Sequence, residues 1–448
     1  MLPYYNIQQD LNILTSNIQQ ALLYLKKNVL SGMIIIKKTY CLIISSRYGI
    51  IDNIESFNYI SSFVTTYNNF RQSSVISNKI SFLEICKSID RSISISKYTE
   101  IDKCFGLPNI NLLFDHKKKI NLFFPRLFSL DEIKNLVDLT NSAALNFDSK
   151  IINIEGSVFE YSIDINILGN SLGWIDSYLS TCNYLSSCVM ASYKNCMERD
   201  FSYSVARDFN DLDNPEKIGQ DSAKKSIARL NSKKISTQIS PVIFISDIAN
   251  ELFSYLIDAI SGYSIYKKSS FLLGYLNKKI FPFWLNIFED PFINKGLSSR
   301  LFDNEGVATK KRKIIENGIL KTWLLDTYSS NKLNIENTGH SGGTYNWIVS
   351  STQLIQSFDN VLHIMNQGVL ITELLGDSIN IITGNYSFGI CGFWIENGTI
   401  KHPIHGITIS GNLIKTWNNI ILMANDINKK NNIQCASVLI DKIQISGY

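Results

Sequence analysis

Two Asn-Gly pairs set between β-prone runs constrain this chain more than any other feature. The first lies in residues 313–321, Lys-Ile-Ile-Glu-Asn-Gly-Ile-Leu-Lys, and the second in residues 392–401, Gly-Phe-Trp-Ile-Glu-Asn-Gly-Thr-Ile-Lys. Asn-Gly between apolar runs is the strongest short-range hairpin signal, because both central residues of the tight turn need positive φ. The last third of the chain is therefore expected to be antiparallel sheet. Between the hairpins lie two more turn-rich segments, Thr338-Gly339-His340-Ser341-Gly342-Gly343 and Thr383-Gly384-Asn385-Tyr386-Ser387. There the backbone is exposed to whatever is bound. His340, Gly342, Gly343, Asn385 and Tyr386 are the candidates for a surface that meets a substrate or a partner.

Composition narrows the class. At 448 residues the prior is roughly three domains, or two large ones. With 45% hydrophobic and 18% charged residues there is enough apolar material for ordinary cores. The net charge of +4 is spread along the chain, and the runs at residues 117–119 and 310–313 are short. A nucleic-acid-binding face shows a stronger, clustered excess, so no nucleic-acid partner is expected. The first twenty residues lack a basic segment followed by an apolar one, so they do not read as a signal peptide. No run approaches the ~18 apolar residues of a membrane helix. The eight cysteines form no C-x-x-C and read as buried thiols in a reducing compartment, which makes a cytoplasmic location the expectation.

Along the chain, Leu11, Leu14, Ile18, Leu22 and Leu25 make a helical stripe over residues 11–27. Strands are expected at 33–38 and 40–46, then a helix at 78–90, and 98–119 reads as a linker. Ser129 followed by Glu132 is a capping-box pattern that opens a helix to about residue 145. Strands follow over 151–192, and Asn214-Pro215 starts another helix. After a polar stretch at 232–240, a strand is expected at 241–246 and a helix at 250–261 with Leu252, Phe253, Leu256, Ile257 and Ile260 on one face. The order of elements points to an α+β fold: an N-terminal domain of helices and antiparallel sheet, then a strand-rich, barrel-like antiparallel C-terminal domain. Three units are expected: 25–95, 118–230 and 235–448.

Most familiar chemistries are missing. There is no Walker loop, no dinucleotide fingerprint and no G-x-S-x-G elbow. The five histidines form no H-E-x-x-H. Glu373 and Asp377 flank an apolar segment, where strand-end solvation explains them as well as acid–base work does.

A set of motifs in fixed order carries a resemblance. These are Met197-Glu198-Arg199-Asp200, Tyr266-x-Lys268-Ser269-Ser270-Phe271-Leu272-Leu273, Phe302-Asp303-x-Glu305-Gly306-Val307, Tyr328-Ser329, the 338–343 loop, Thr372-Glu373-Leu374, the 383–389 loop, the second hairpin and Thr408-Ile409-Ser410-Gly411-Asn412-Leu413. In this order the chain resembles the TldD/PmbA metallopeptidase family over nearly its whole length. The resemblance implies one subunit of a cytoplasmic heterodimer with a TldD-like partner. Such pairs process or degrade unfolded peptides, such as peptide-antibiotic precursors and antitoxins.

The resemblance also implies where the metal lies. The TldD-like subunit carries H-E-x-x-x-H and a cysteine, which hold a divalent metal, zinc. Here the corresponding stretch is Phe253-Ser254-Tyr255-Leu256-Ile257-Asp258, with both histidines and the glutamate replaced. Asp258, and Cys435 in place of the ligand cysteine, form at most a degenerate site. No catalytic residue, bound metal or cofactor is expected in this chain, which would shape the substrate chamber while the partner does the chemistry. Two alternatives stay open: a non-enzymatic peptide-binding or assembly protein, and a regulator linked to DNA topoisomerase.

Overall fold

The computed structural model describes residues 7–28, 31–376 and 378–447. The first half runs α1 (Ile7–Asn28), β1 (Ser31–Arg47), β2 (Ile50–Asn68), β3 (Arg71–Ser77), α2 (Phe82–Ser96), α3 (Leu130–Leu145), β4 (Ile151–Asn170), β5 (Ile175–Tyr193), β6 (Cys196–Ala206) and α4 (Pro215–Ala228). The strands form one antiparallel sheet in the order β3-β2-β1-β4-β5-β6.

Alternation in β1 and β4 decides which face is buried. Ile34, Ile36, Tyr40, Leu42 and Ile44 of β1, with Phe159, Tyr161, Ile163, Ile165 and Ile167 of β4, pack against Leu14, Ile18, Leu22 and Leu25 of α1 and against Ile133 and Val137 of α3. Because side chains alternate along a strand, the other face carries the intervening residues, among them Lys37, Thr39, Asp164 and Asn166. Register aligns them in rows, Lys37 beside Asn166 beside Tyr178 and Thr39 beside Asp164 beside Ser180. One face of the sheet is thus apolar and covered by helices, and the other presents a polar patch.

The caps are those the sequence specifies. The Ser129 side chain accepts from the Glu132 amide at the start of α3, and Asn214 does the same for Glu216 ahead of α4, with Pro215 in the first turn. The reciprocal half of the capping box at Ser129 is replaced, because the Glu132 carboxylate is taken by Arg126.

Two expectations are corrected here, and the sheet adds a connection between units. The strands expected at 33–38 and 40–46 are one strand, since Thr39 continues the ladder with Tyr59 on one side and Asp164 on the other. Strand β2 was not anticipated at all. The units 25–95 and 118–230 share a single sheet, because β1 is hydrogen-bonded to both β2 and β4, and α1 begins well before residue 25.

The second half runs β7 (Gln238–Phe244), α5 (Ser246–Ile260), α6 (Gly262–Tyr266), β8 (Leu285–Asp290), β9 (Arg312–Glu316), β10 (Ile319–Leu320), α7 (Thr327–Leu333), β11 (Asn346–Ser351), α8 (Phe358–Met365), β12 (Gly368–Leu375), β13 (Ile379–Asn380), β14 (Asn385–Glu396), β15 (Thr399–Asn412), α9 (Leu413–Asn418), β16 (Ile420–Met423), β17 (Ile433–Gln434) and β18 (Val438–Ser446). One sheet has the order β10-β9-β8-β11-β17. The other runs β12-β7-β18-β15-β14, and β14 pairs back onto β12, so it closes into a barrel. The α+β, barrel-like expectation holds. Among the described strands two ladders are parallel, β7 with β12 and β11 with β17.

Both Asn-Gly hairpins form as expected. Asn317 and Gly318 have φ of 51° and 75°, and Asn397 and Gly398 have 53° and 68°, the positive-φ pair of a primed turn. Helix α5 packs into the barrel core through Leu252, Phe253, Leu256 and Ile260, and the Trp417 indole donates to the Leu252 carbonyl at 3.1 Å.

The 98–119 segment joins the halves as well as linking the elements of the first. Phe114 receives a contact from Trp174, whose Nε1 donates to its carbonyl at 2.8 Å, and the Phe114 amide donates to Gly306 at 3.0 Å. Phe114, Leu168 and Phe302 form a small shared core there, with Trp174 and Tyr178 packed against it.

Candidate functional site

The 338–343 loop is fixed by carboxylates, of which Asp303 is buried and Glu305 partly so. The Asp303 carboxylate accepts from three backbone amides: Glu305 at 2.8 Å, Val307 at 2.9 Å and Ser341 at 3.0 Å. Glu305 accepts from the Thr327 amide at 3.0 Å. Burial pushes both acids up, Asp303 to about 6 against the pull of its amide donors, and Glu305 to about 8 with the Asp303 charge adding to the effect. Each charge disfavours the other, so the pair together keeps a proton that two separate carboxylates would lose.

His340 is the largest departure from expectation. It was a candidate for an exposed surface, yet its side chain is only 2% exposed and the Glu289 carboxylate it meets at 3.0 Å is 0% exposed. Nδ1 of His340 lies 2.8 Å from the Thr338 hydroxyl. Glu289 also accepts from the Tyr345 amide at 3.1 Å and the Trp347 indole at 3.0 Å. Burial raises the Glu289 carboxyl, but the His340 contact and these donors outweigh it and hold the group below its ordinary range. A buried carboxylate must be paired, so the histidine is turned inward to meet it. Tyr386 is likewise buried, its hydroxyl 2.8 Å from that of Thr416. Asn385 is exposed and accepts from the Asn412 amide at 3.0 Å. The five candidates do not converge: Gly342 and Gly343 alone reach the cavity described next.

That cavity, of about 590 Å³, lies between the polar face of the first sheet and the second half of the chain. Lys37, Thr39, Asp164, Asn166, Tyr178 and Ser180 supply one wall. The opposite wall is built by the 297–300 segment, by the loop from Ser341 to Tyr345, by Asn432 and by Ile257 of α5. Arg207 spans the junction, donating to the carbonyls of Thr181 at 3.1 Å and of Leu297. Gly342, at φ +95°, allows the loop to pass Asn304, whose amide nitrogen would stand 2.0 Å from a Cβ placed there. Arg300 in turn donates to the Asn304 side chain at 3.2 Å.

The stretch at 253–258 is placed beside this cavity but turned mostly away from it. Phe253 is fully buried and stacks on Phe281 with ring centroids 5.9 Å apart. The Ser254 hydroxyl donates to the Glu251 carbonyl at 2.8 Å. Cys435 is buried, and burial with the nearby Asp426 charge pushes its thiol up to about 12, away from the thiolate a metal requires. Among the described residues no three His, Cys, Asp or Glu side chains gather in one place. Asp258 of α5 and Cys435, which follows β17, would supply two donors where a zinc ion takes at least three from protein, so these two residues do not fit a zinc ion. Of the carboxylates flanking 374–376, Glu373 is engaged by Arg229, and Asp377 lies outside the described residues.

Sequence reasoning missed Asp303, Glu305 and Glu289 as the loop's supports, and Lys37, Arg207 and Arg300 as cavity cations. Asp303 and Glu305 stood within a quoted motif, with no signal of what they face. The row alignment that places Lys37 and Asp164 on one face depends on strand pairing that no local pattern reports.

The comparisons with known proteins bear on the same halves. Residues 237–447 match the PmbA/TldA metallopeptidase C-terminal domain, and residues 125–230 match the PmbA/TldA metallopeptidase central domain. A metalloprotease PmbA homolog of Buchnera aphidicola subsp. Acyrthosiphon pisum is 45% identical over 410 residues, 92% of each chain. The metalloprotease PmbA of Escherichia coli O157:H7 is 42% identical, over 92% of this chain and 91% of that one. The same Buchnera also has a metalloprotease TldD homolog, 23% identical over 67% of this chain and 66% of that one. A Bacteroides thetaiotaomicron protein described as a candidate modulator of DNA gyrase superposes with a TM-score of 0.90 at 25% identity, covering 97% of this chain and 98% of that one. The chain belongs to the TldD/PmbA metallopeptidase family.

Proposed function

We propose that this chain is the chamber-forming subunit of a two-subunit peptidase whose TldD-like partner holds a divalent metal, zinc, and that the pair cleaves unfolded peptides. The observation that carries the reading is the inter-domain cavity beside α5. Its walls are polar and open to a main chain, while the α5 positions that would hold a metal are filled by Phe253 and by a Ser254 hydroxyl spent on its own helix. In this reading the residues of this chain bind and orient. Thr39, Asn166 and Ser180 offer hydrogen-bonding groups to peptide bonds, which tolerates varied sequence. The presence of a PmbA homolog and a TldD homolog in one Buchnera supports a pairing of two such chains.

The test is co-purification with a TldD-like chain, followed by metal analysis of each subunit and cleavage of an unfolded peptide. Expected are metal in the partner, little in this chain, and cleavage only by the pair. Zinc-dependent cleavage by this chain alone would overturn the reading. The description of the Bacteroides relative favours a second reading, action on a DNA topoisomerase. A gyrase supercoiling assay that responds to this chain without a TldD-like partner would support it.

A further inference from the structure

The inter-domain cavity carries more positive charge than its surroundings cancel. Lys37, Arg207 and Arg300 all line it, and among the described residues Asp164 is the one carboxylate in its wall. Asp164 is already engaged by the Thr39 hydroxyl at 2.6 Å. The guanidinium of Arg207 donates to the Thr181 and Leu297 carbonyls and that of Arg300 to the Asn304 amide, all neutral acceptors. Arg300 also stands over the Tyr178 ring at 5.8 Å, and Lys37 over Phe63 at 5.8 Å, contacts that place a cation without neutralising it. The Nε of Arg207 is buried with no hydrogen-bond partner among the described residues. A buried N–H without an acceptor costs free energy, which an acceptor entering from the cavity, a water or an anion, would recover.

We propose that Lys37, Arg207 and Arg300 form a subsite for a peptide carboxylate, so that the chamber holds an incoming peptide by its negative charge as well as by its main chain. Three observations converge on it. The cavity lies within the roughly 300–1,000 Å³ typical of ligand sites. The three cations come from three separate stretches of chain, Lys37 and Arg207 from the first half and Arg300 from the second, so the set is complete only where the two halves close on each other. Their like charges repel at close range, and burial together with the Arg300 charge lowers the Lys37 ammonium below its ordinary range. An anion relieves all three at once, with charge-assisted hydrogen bonds of the kind that guanidinium and ammonium groups make to carboxylate.

This inference rests on the peptide-handling reading, and the experiment separates the two. The full chain in complex with its TldD-like partner, with peptide cleavage blocked by metal removal, is titrated with four probes. These are an N-acetylated alanine–leucine hexapeptide with a free C-terminus, the same peptide amidated, the amidated peptide with one internal glutamate, and glutarate. The free acid is expected to bind about tenfold or more tighter than the amide. Lys37→Gln and Arg300→Gln are expected to erase that difference, and Lys37→Arg to restore it. If the internal glutamate replaces the terminal carboxylate without loss, the subsite accepts side-chain acids too, and the assignment stands. Equal binding of acid and amide overturns the subsite and leaves the peptide reading intact. Binding of glutarate alone, lost in Arg300→Gln, supports the subsite and counts against a peptide. No binding by any probe overturns both.

Discussion

Glu289 accepts from a histidine, an amide and an indole at once, so each donor's removal leaves a charge with no water to receive it. Replacing His340 by alanine is expected to cost about 3 kcal/mol or more, read from urea denaturation, because one member of a buried pair is removed and the other stranded. Glu305 gives a prediction in pH. Burial keeps it protonated in the folded chain up to about 8, whereas the unfolded chain loses that proton in the ordinary carboxylate range. The folded state therefore holds the extra proton in between, and its stabilising effect, complete below about pH 4 to 5, is lost as pH rises through about 8. Glu305→Gln keeps the acceptor for Thr327 and removes the titration. Its melting temperature is expected to exceed that of the parent above pH 8 and to match it near pH 5. None of this was legible from residues alone. His340 in a glycine loop reads as exposed, and only the opposite wall, contributed by Glu289 some fifty residues earlier in the chain, turns it inward.

Elements were legible where their cause is local. The Asn-Gly turns, the Ser129 and Asn214 caps and the α1 stripe each depend on residues within a turn or two of one another, and each formed. Strand β2 was illegible because much of it is exposed on both faces, which removes the alternation that marks a strand. The two hairpins differ in what surrounds them. A Cβ on Gly318 would stand 2.3 Å from the Phe281 carbonyl oxygen and 2.6 Å from that of Pro282, both main chain, whereas on Gly398 the nearest atom is the side-chain His363 Nδ1 at 2.4 Å and the main-chain contact, His363 Cα, is looser at 2.9 Å. Both alanine variants carry the strain of a left-handed residue, about 1 kcal/mol each. Gly318→Ala is expected to lose more in thermal denaturation, since carbonyls cannot swing aside as an imidazole can. An equal loss would show that the first turn shifts as a unit.

At the scale of the molecule, the α+β class and its barrel-like end were legible in the sequence, whereas the single sheet that joins residues 25–95 to 118–230 was not. Thr39 meets Asp164 across 125 residues, and no window of sequence reports such a pairing. The two halves are clasped by Trp174, which donates to Phe114 and packs edge-on against Phe302 at 5.2 Å. Trp174→Ala is expected to cost about 3 kcal/mol, the low end for a large aromatic that is only half-buried. Calorimetry should then resolve two unfolding transitions in place of one; a single, merely lowered transition would mean that the clasp is spread over other contacts. The closed barrel has a further consequence, in time rather than space. Strand β7 is held between β12 and β18, so its two neighbours lie far downstream, the second ending at Ser446. At roughly 5–20 residues per second, a ribosome that has released β7 needs on the order of 10 to 40 s to deliver β18. Until β12 emerges the valine, isoleucine and phenylalanine of β7 wait with both edges open, and until β18 follows one edge stays open, so the nascent chain relies on chaperones or on α5 to keep them covered.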